Sequence, residues 1–168
     1  MGHVEHKKHA PRQVTVAILT VSTTRSLADD ESGRWMARGA AREGHALVAH
    51  RVVPDDLLQI RCAVREILAD PAPQVIILTG GTGITPSDVT IEAIEPMFTK
   101  KLTAFGPLFA QLSFEQVDSA ALLSRAAAGI IGHTVVFFIP GSLGACKLAC
   151  KALIFPEVGH LVGHALKG

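Results

Sequence analysis

The chain has 168 residues, with 16 Lys and Arg against 15 Asp and Glu, and is 48% hydrophobic, 18% charged and 5% aromatic. This length suits one ordinary domain, the apolar fraction excludes disorder, and a net charge of +1 leaves no electrostatic footprint for a nucleic-acid backbone. The charged fraction falls below the usual share of about 25%, which points to surface buried between subunits.

No run reaches the roughly 18 uninterrupted apolar residues that a membrane helix needs, because Arg125, Lys147 and Lys151 interrupt the most apolar region. Residues 1–12 carry His3, His6, His9, Lys7 and Lys8 and no apolar stretch. They read as a solvated tail rather than a signal peptide, ahead of one domain over 13–168, with the cytoplasm as the default compartment. Cys62, Cys146 and Cys150 are odd in number and form no C-x-x-C, so neither a disulfide framework nor a zinc site is expected.

In chain order, Val14 to Val21 reads as a strand, Ser32 to Glu43 as an amphipathic helix stopped at Gly44, and Ala46 to Val53 as a second strand. Asp56 to Ala69 is a helix with Leu57, Ile60, Val64, Ile67 and Leu68 on one face. Gln74 to Thr79 contains the run Val75-Ile76-Ile77-Leu78, as in a strand covered on both faces of a parallel sheet. A helix near Thr90 to Phe98 follows, then two helical segments between Phe105 and Ala128, and a buried strand over Thr134 to Ile139. A last helix starts near Ser142 or Gly144 and runs to Leu166, with Pro156 as a candidate break. This alternation predicts a single three-layer α/β/α domain with a mainly parallel sheet.

Ligands of such sheets bind beyond the carboxyl ends of the strands. Those ends carry Ser22-Thr23-Thr24-Arg25, Pro54-Asp55-Asp56, Thr79-Gly80-Gly81-Thr82-Gly83 and Pro140-Gly141-Ser142. The glycine string reads as an anion cradle, since backbone N–H groups without a neighbouring Cβ can approach a phosphate. It lacks a P-loop lysine, and Pro86 stands where a dinucleotide fingerprint needs its third glycine. Asp88, ahead of the helix at Thr90, fits an N-cap as well as a catalytic role. Asp55 fits a cap and Asp56 a favourable dipole charge. If the anion is a nucleotide phosphate, these carboxylates suit Mg²⁺. Arg125 offers a guanidinium matched to phosphate, or a surface charge. His160 and His164 form an i, i+4 pair without a third expected metal ligand.

From Val14 to Ala152 the chain resembles the MoaB/MogA family of molybdenum cofactor biosynthesis proteins. The resemblance rests on Leu19-Thr20-Val21-Ser22, Asp30-Glu31-Ser32-Gly33, the Thr79–Gly83 loop with Pro86 and Asp88, Leu122-Leu123-Ser124-Arg125-Ala126, and Pro140-Gly141-Ser142. Leu112-Ser113-Phe114-Glu115 and Gly144-Ala145-Cys146 look closer to the MoaB branch. The resemblance implies a molybdopterin-binding (MogA-like) fold, assembled as a homotrimer or a hexamer built as a dimer of trimers. It also implies adenylyl transfer from Mg·ATP to the terminal phosphate of molybdopterin, with release of pyrophosphate. A binding or carrier role without turnover is the alternative.

Carried over by position, Asp55 and Asp88 match the family's functional aspartates and candidate Mg²⁺ ligands. Thr79, Gly80, Gly81, Thr82 and Gly83 match its phosphate cradle, while Ser22, Ser124, Arg125, Pro140, Gly141 and Ser142 would line the pocket. A MoeA-type metal-inserting partner is implied by the pathway. Thr23 stands where many relatives carry Asp, Ala110 where an arginine motif is usual, Asp118 where Gly is frequent, and Leu143 where a second proline often follows. These departures bear on catalysis more than on fold.

Overall fold

The computed structural model describes residues 10–167, so the part of the expected tail over 1–9 lies outside the described residues. Six strands form one sheet: β1 (Thr15–Val21), β2 (Ala46–Val53), β3 (Val75–Thr79), β4 (Lys100–Lys101), β5 (Ala127–Ile131) and β6 (Thr134–Ile139). Their order is β2-β1-β3-β6-β5-β4. The first four in that order are mutually parallel, and β5 and β4 complete one edge in antiparallel register.

Alternation along the strands divides the core into two layers. Val16 and Ile18 of β1, Val75 and Ile77 of β3, and Val135 and Phe137 of β6 face one side. There they meet α1 (Glu31–Arg42), α4 (Phe105–Val117), α5 (Leu143–Ala149) and α6 (Phe155–Ala165). Ala17, Leu19, Ile76, Leu78, Val136 and Phe138 face the other side, against α2 (Leu57–Ala69) and α3 (Thr90–Ile94). Continuous apolar runs are what strands covered on both faces require, and the three-layer α/β/α architecture follows from them.

Three expectations change. Asp56, not Asp55, caps α2, its side chain accepting from the Gln59 N–H. The stretch between Phe105 and Ala128 is helical only as far as Leu123, through α4 and a 3₁₀ segment over Asp118–Leu123. Ala127–Ile131 is then a strand that turns back at Gly132 and His133 to pair with β6. Here the hairpin partner overrides the helical preference of three alanines. Pro156 does not break the last helix. It occupies the first turn of α6, where its missing N–H costs no bond, and the π-helical segment Cys150–Ile154 joins α5 to α6.

Chain order places a switch point at one sheet edge. From β1 the chain crosses to β2 on one side, and from β2 it crosses back over β1 to β3 on the other. Loops leaving the carboxyl ends of β1 and β3 therefore diverge and open a crevice. No helix among the described residues is long and apolar enough to cross a membrane.

Candidate functional site

The loop after β3 begins at this crevice. Gly80 (φ +93°) passes so close to β1 that a Cβ would stand 2.3 Å from the Val21 carbonyl oxygen. Gly81 (φ +63°) is equally constrained, since its Cβ would fall 2.3 Å from Thr90 Oγ1. Only glycine fits both the dihedral and the space.

Two residues hold every carbonyl of this loop. Thr90 Oγ1 donates to Gly80 O (2.8 Å) and the Thr90 N–H to Gly81 O (3.0 Å). The Arg125 N–H donates to Thr82 O (3.2 Å) and Arg125 Nε to Gly83 O (2.8 Å). With the carbonyls turned inward, the Gly81 and Thr82 N–H groups have no acceptor among the described residues. That is the backbone arrangement an anion needs.

The cavity over this loop has a volume of about 410 Å³ and is lined by Gly80–Gly83, Asp88, Ser124, Pro140–Ser142 and the facing ends of α4 and α5. Ser124 Oγ is the one buried side-chain oxygen or nitrogen among the described residues without a hydrogen-bond partner. An orphaned hydroxyl on a cavity wall is uncommon unless a ligand or water completes it. The opposite wall is held rigidly: Thr79 Oγ1 donates to Pro140 O (3.0 Å), and Ser32 Oγ (3.1 Å) and Arg25 Nη1 (3.3 Å) both donate to Gly141 O. Ser142 caps α5 by accepting from the Ala145 N–H.

The two aspartates flank the glycine loop, each with one oxygen held by a threonine. Asp55 Oδ2 accepts from Thr23 N–H (2.9 Å) and Thr23 Oγ1 (2.8 Å), while its Oδ1 lies 3.4 Å from where a Gly81 Cβ would stand. Because Asp56 takes over the cap, the Asp55 carboxylate is left to face the loop. Asp88 Oδ2 accepts from Thr85 Oγ1 (2.6 Å) and Thr85 N–H (2.8 Å) and approaches Gly83. Those Thr85 bonds, with the Gly83 N–H and the Arg125 charge, hold the Asp88 carboxyl below the usual carboxylate range against the opposing effect of partial burial. Asp88 does not cap α3, whose N-cap is Val89.

The remaining expected residues separate by role. Thr79 is fully buried and ties the glycine loop to the Pro140 turn. Ser22 opens on a second cleft of about 710 Å³, lined also by Thr23, Arg25, Ser26, His50 and Cys62. Asp55 bonds to Thr23, which lines that cleft, and its Oδ1 approaches Gly81, which lines the first. The Arg125 guanidinium stands behind the loop, donating to Gly83 O, Asp88 O (3.0 Å) and both oxygens of Glu92.

Sequence reasoning missed Thr90, which looked like an ordinary helix start, and Arg25, whose charge in a strand-end loop was the available signal. It also passed over Asp30 as a site-builder. Asp30 is fully buried, caps α1 through the Gly33 N–H (2.9 Å), and accepts from Thr20 Oγ1 (2.6 Å) and His50 Nε2 (2.7 Å). Burial pushes its pKa up, but the Thr20, Gly33 and His50 bonds outweigh it and the net direction is down. Asp30 thus seats the helix from which Ser32 reaches Gly141.

Residues 17–160 match the family model described as "Probable molybdopterin binding domain". The chain is 45% identical over 163 residues to molybdenum cofactor biosynthesis protein B of Bacillus subtilis (strain 168), covering 96% of both chains. A crystal structure of a molybdenum cofactor biosynthesis protein B superposes with TM-score 0.90 at 39% identity, covering 95% of this chain and 100% of that one. The tungsten cofactor synthesizing protein MoaB of Pyrococcus furiosus superposes with TM-score 0.85 at 38% identity, covering 93% and 99%. A glycine loop at the switch point, the two flanking aspartates and these full-length matches all agree: the chain belongs to the MoaB/MogA family of molybdenum cofactor biosynthesis proteins, on its MoaB side.

Proposed function

We propose that this chain acts in molybdenum cofactor biosynthesis by binding molybdopterin over the Gly80–Gly83 loop and adenylylating it with ATP. The observation that carries the reading is the loop itself, whose carbonyls are all turned inward by Thr90 and Arg125 while two N–H groups and the Ser124 hydroxyl await an acceptor. A terminal phosphate supplies those acceptors, and the 410 Å³ cavity accommodates the pterin beside it.

In this reading, an oxygen of the molybdopterin phosphate attacks the α-phosphorus of ATP. A new P–O–P bond forms as the bond to the β-phosphate breaks, and pyrophosphate leaves. Such transfer asks for positioned phosphates and neutralised charge, without a covalent nucleophile. The second cleft, with Arg25 among its lining residues, suits the nucleotide, and Asp55, held by Thr23 and approaching Gly81, would serve both substrates. Asp55 and Asp88 fit Mg²⁺, which binds through a few protein oxygens together with phosphate and water; the ion would offset the charge gathering on the transferred phosphate. Thr23 supplies no carboxylate here, but it fixes Asp55 from two directions.

Because Thr23 replaces a carboxylate common in relatives, a pterin-binding homologue without turnover is the second reading. Incubation with molybdopterin, ATP and Mg²⁺ separates the two. The first reading predicts adenylylated product and equimolar pyrophosphate, with at least a hundredfold loss in Asp55→Ala and Asp88→Ala. Tight pterin binding with no product selects the second.

A further inference from the structure

One polar side chain of the second cleft is left unused by the transfer chemistry: His50 of β2, which lines the cleft with its side chain 14% exposed. Its Nε2 stands 2.7 Å from Oδ2 of the fully buried Asp30. An ionised carboxylate only accepts, so Nε2 carries the hydrogen of that bond. Gly33 leaves the room for it, since a Cβ there would strike both His50 Nε2 and Asp30 Oδ2. Thr20 Oγ1 and the Gly33 N–H fix the carboxylate in turn, and the ring is thereby clamped from one side.

The other ring nitrogen is free. Nδ1 has no partner among the described residues, and Ser124 Oγ is the one buried side-chain nitrogen or oxygen there without one. Nδ1 is therefore reached by solvent, on a side chain that lines the cleft. In the neutral ring it bears the lone pair and accepts a hydrogen bond. Its neighbours divide the remaining work. Arg51 is paired with Glu66 (2.7 Å), whereas Arg25 has no carboxylate partner among the described residues and suits phosphate. Asp55 follows the carboxyl end of β2, and His50 lies three residues before that end at Val53. A nucleotide with its phosphates toward Asp55 and Arg25 has its sugar next along the strand, and the hydroxyls of that sugar are uncharged donors.

Resting on the nucleotide reading of this cleft, we propose that His50 is a specificity-determining residue whose Nδ1 accepts a hydrogen bond from a ribose hydroxyl of the bound nucleotide. A sugar without hydroxyls covers Nδ1 and leaves it unpaired, so the site selects ribonucleotides.

Titration of the full chain with Mg·ATP, and with Mg·dideoxy-ATP lacking both ribose hydroxyls, tests this at mildly alkaline pH. The expected result is at least fivefold tighter binding of Mg·ATP. In His50→Gln the amide nitrogen takes the place of Nε2 on Asp30 and nothing takes that of Nδ1. The two nucleotides should then bind within twofold of each other, with parent-like affinity for the dideoxy form. Equal affinities in the parent chain overturn the proposal, and so does an undiminished preference in His50→Gln. Affinities that fall together in His50→Gln make His50 a structural residue and overturn it too. Those three results leave adenylylation standing wherever product still forms, whereas a parent chain that binds neither nucleotide ends both readings.

Discussion

Four successive carbonyls of one loop are held by Thr90 and Arg125, and the consequence falls on the groups left over, the Gly81 and Thr82 N–H groups and Ser124 Oγ. Ser124→Ala separates function from stability at this scale. Removing an unpaired buried hydroxyl relieves a desolvation penalty, so the variant should be equally or slightly more stable in urea unfolding, by up to about 1 kcal/mol. Losing one hydrogen bond to bound phosphate should weaken molybdopterin binding about five- to tenfold, or about 1–1.4 kcal/mol. A large drop in the urea midpoint would instead make Ser124 a structural residue. The sequence displayed every one of these residue types, but not their orientation. Adjacent aspartates at a helix start offer the cap to either one, and the backbone entering α2 awards it to Asp56, freeing Asp55. Arg125 likewise has a geometry that suits phosphate or carbonyl oxygen, and the fold sets Gly83 O and Asp88 O before it.

At the scale of elements, the strands β1, β3 and β6 and the helices α1 and α2 were legible because their apolar periods match their final burial, whereas the edge strand β2 was legible from its apolar residues although none of them is fully buried. The edge of the sheet was not. Ala126-Ala127-Ala128 is a helical string by propensity, and only pairing with β6 makes a strand of the residues around it. The Gly132–His133 turn between two β-branched runs was the available cue. The π-helical segment before Pro156 had no such cue, since a one-residue widening leaves the apolar pattern almost unchanged. Asp118 joins α4 to the 3₁₀ segment at φ +50° and ψ −140°. A residue with a Cβ is strained there by about 1–3 kcal/mol. Asp118→Gly should therefore raise the midpoint of chemical unfolding, offset in part by the entropy of glycine in the unfolded chain. No change, or a lower midpoint, would show that the Asp118 side chain compensates for the strain.

For the whole molecule, the low charged fraction has a structural counterpart on one ridge. Phe114 and Val117 of α4 and Leu122 and Leu123 of the following turn are 57%, 50%, 83% and 56% exposed. Large apolar side chains left exposed on one short stretch suit a surface made for contact. Val117 and Leu123 also line the cavity over the glycine loop, so a neighbouring copy seated there would border it. Sedimentation equilibrium should give a trimer or a hexamer of the 17.8 kDa chain, and Phe114→Glu/Leu122→Glu should shift it to smaller species. A monomer at micromolar concentration would remove the assembly from the account.

The glycine loop is the proposed seat of the pterin phosphate. Fluorescence titration of molybdopterin into the parent chain and Gly81→Val tests it most directly, because a Cβ there falls 2.3 Å from Thr90 Oγ1 and disturbs the loop's inward carbonyls. The predicted result is at least a tenfold loss of affinity with an unchanged far-ultraviolet circular dichroism spectrum. Unchanged affinity in a folded Gly81→Val chain would contradict it, leaving the loop a turn and the phosphate elsewhere.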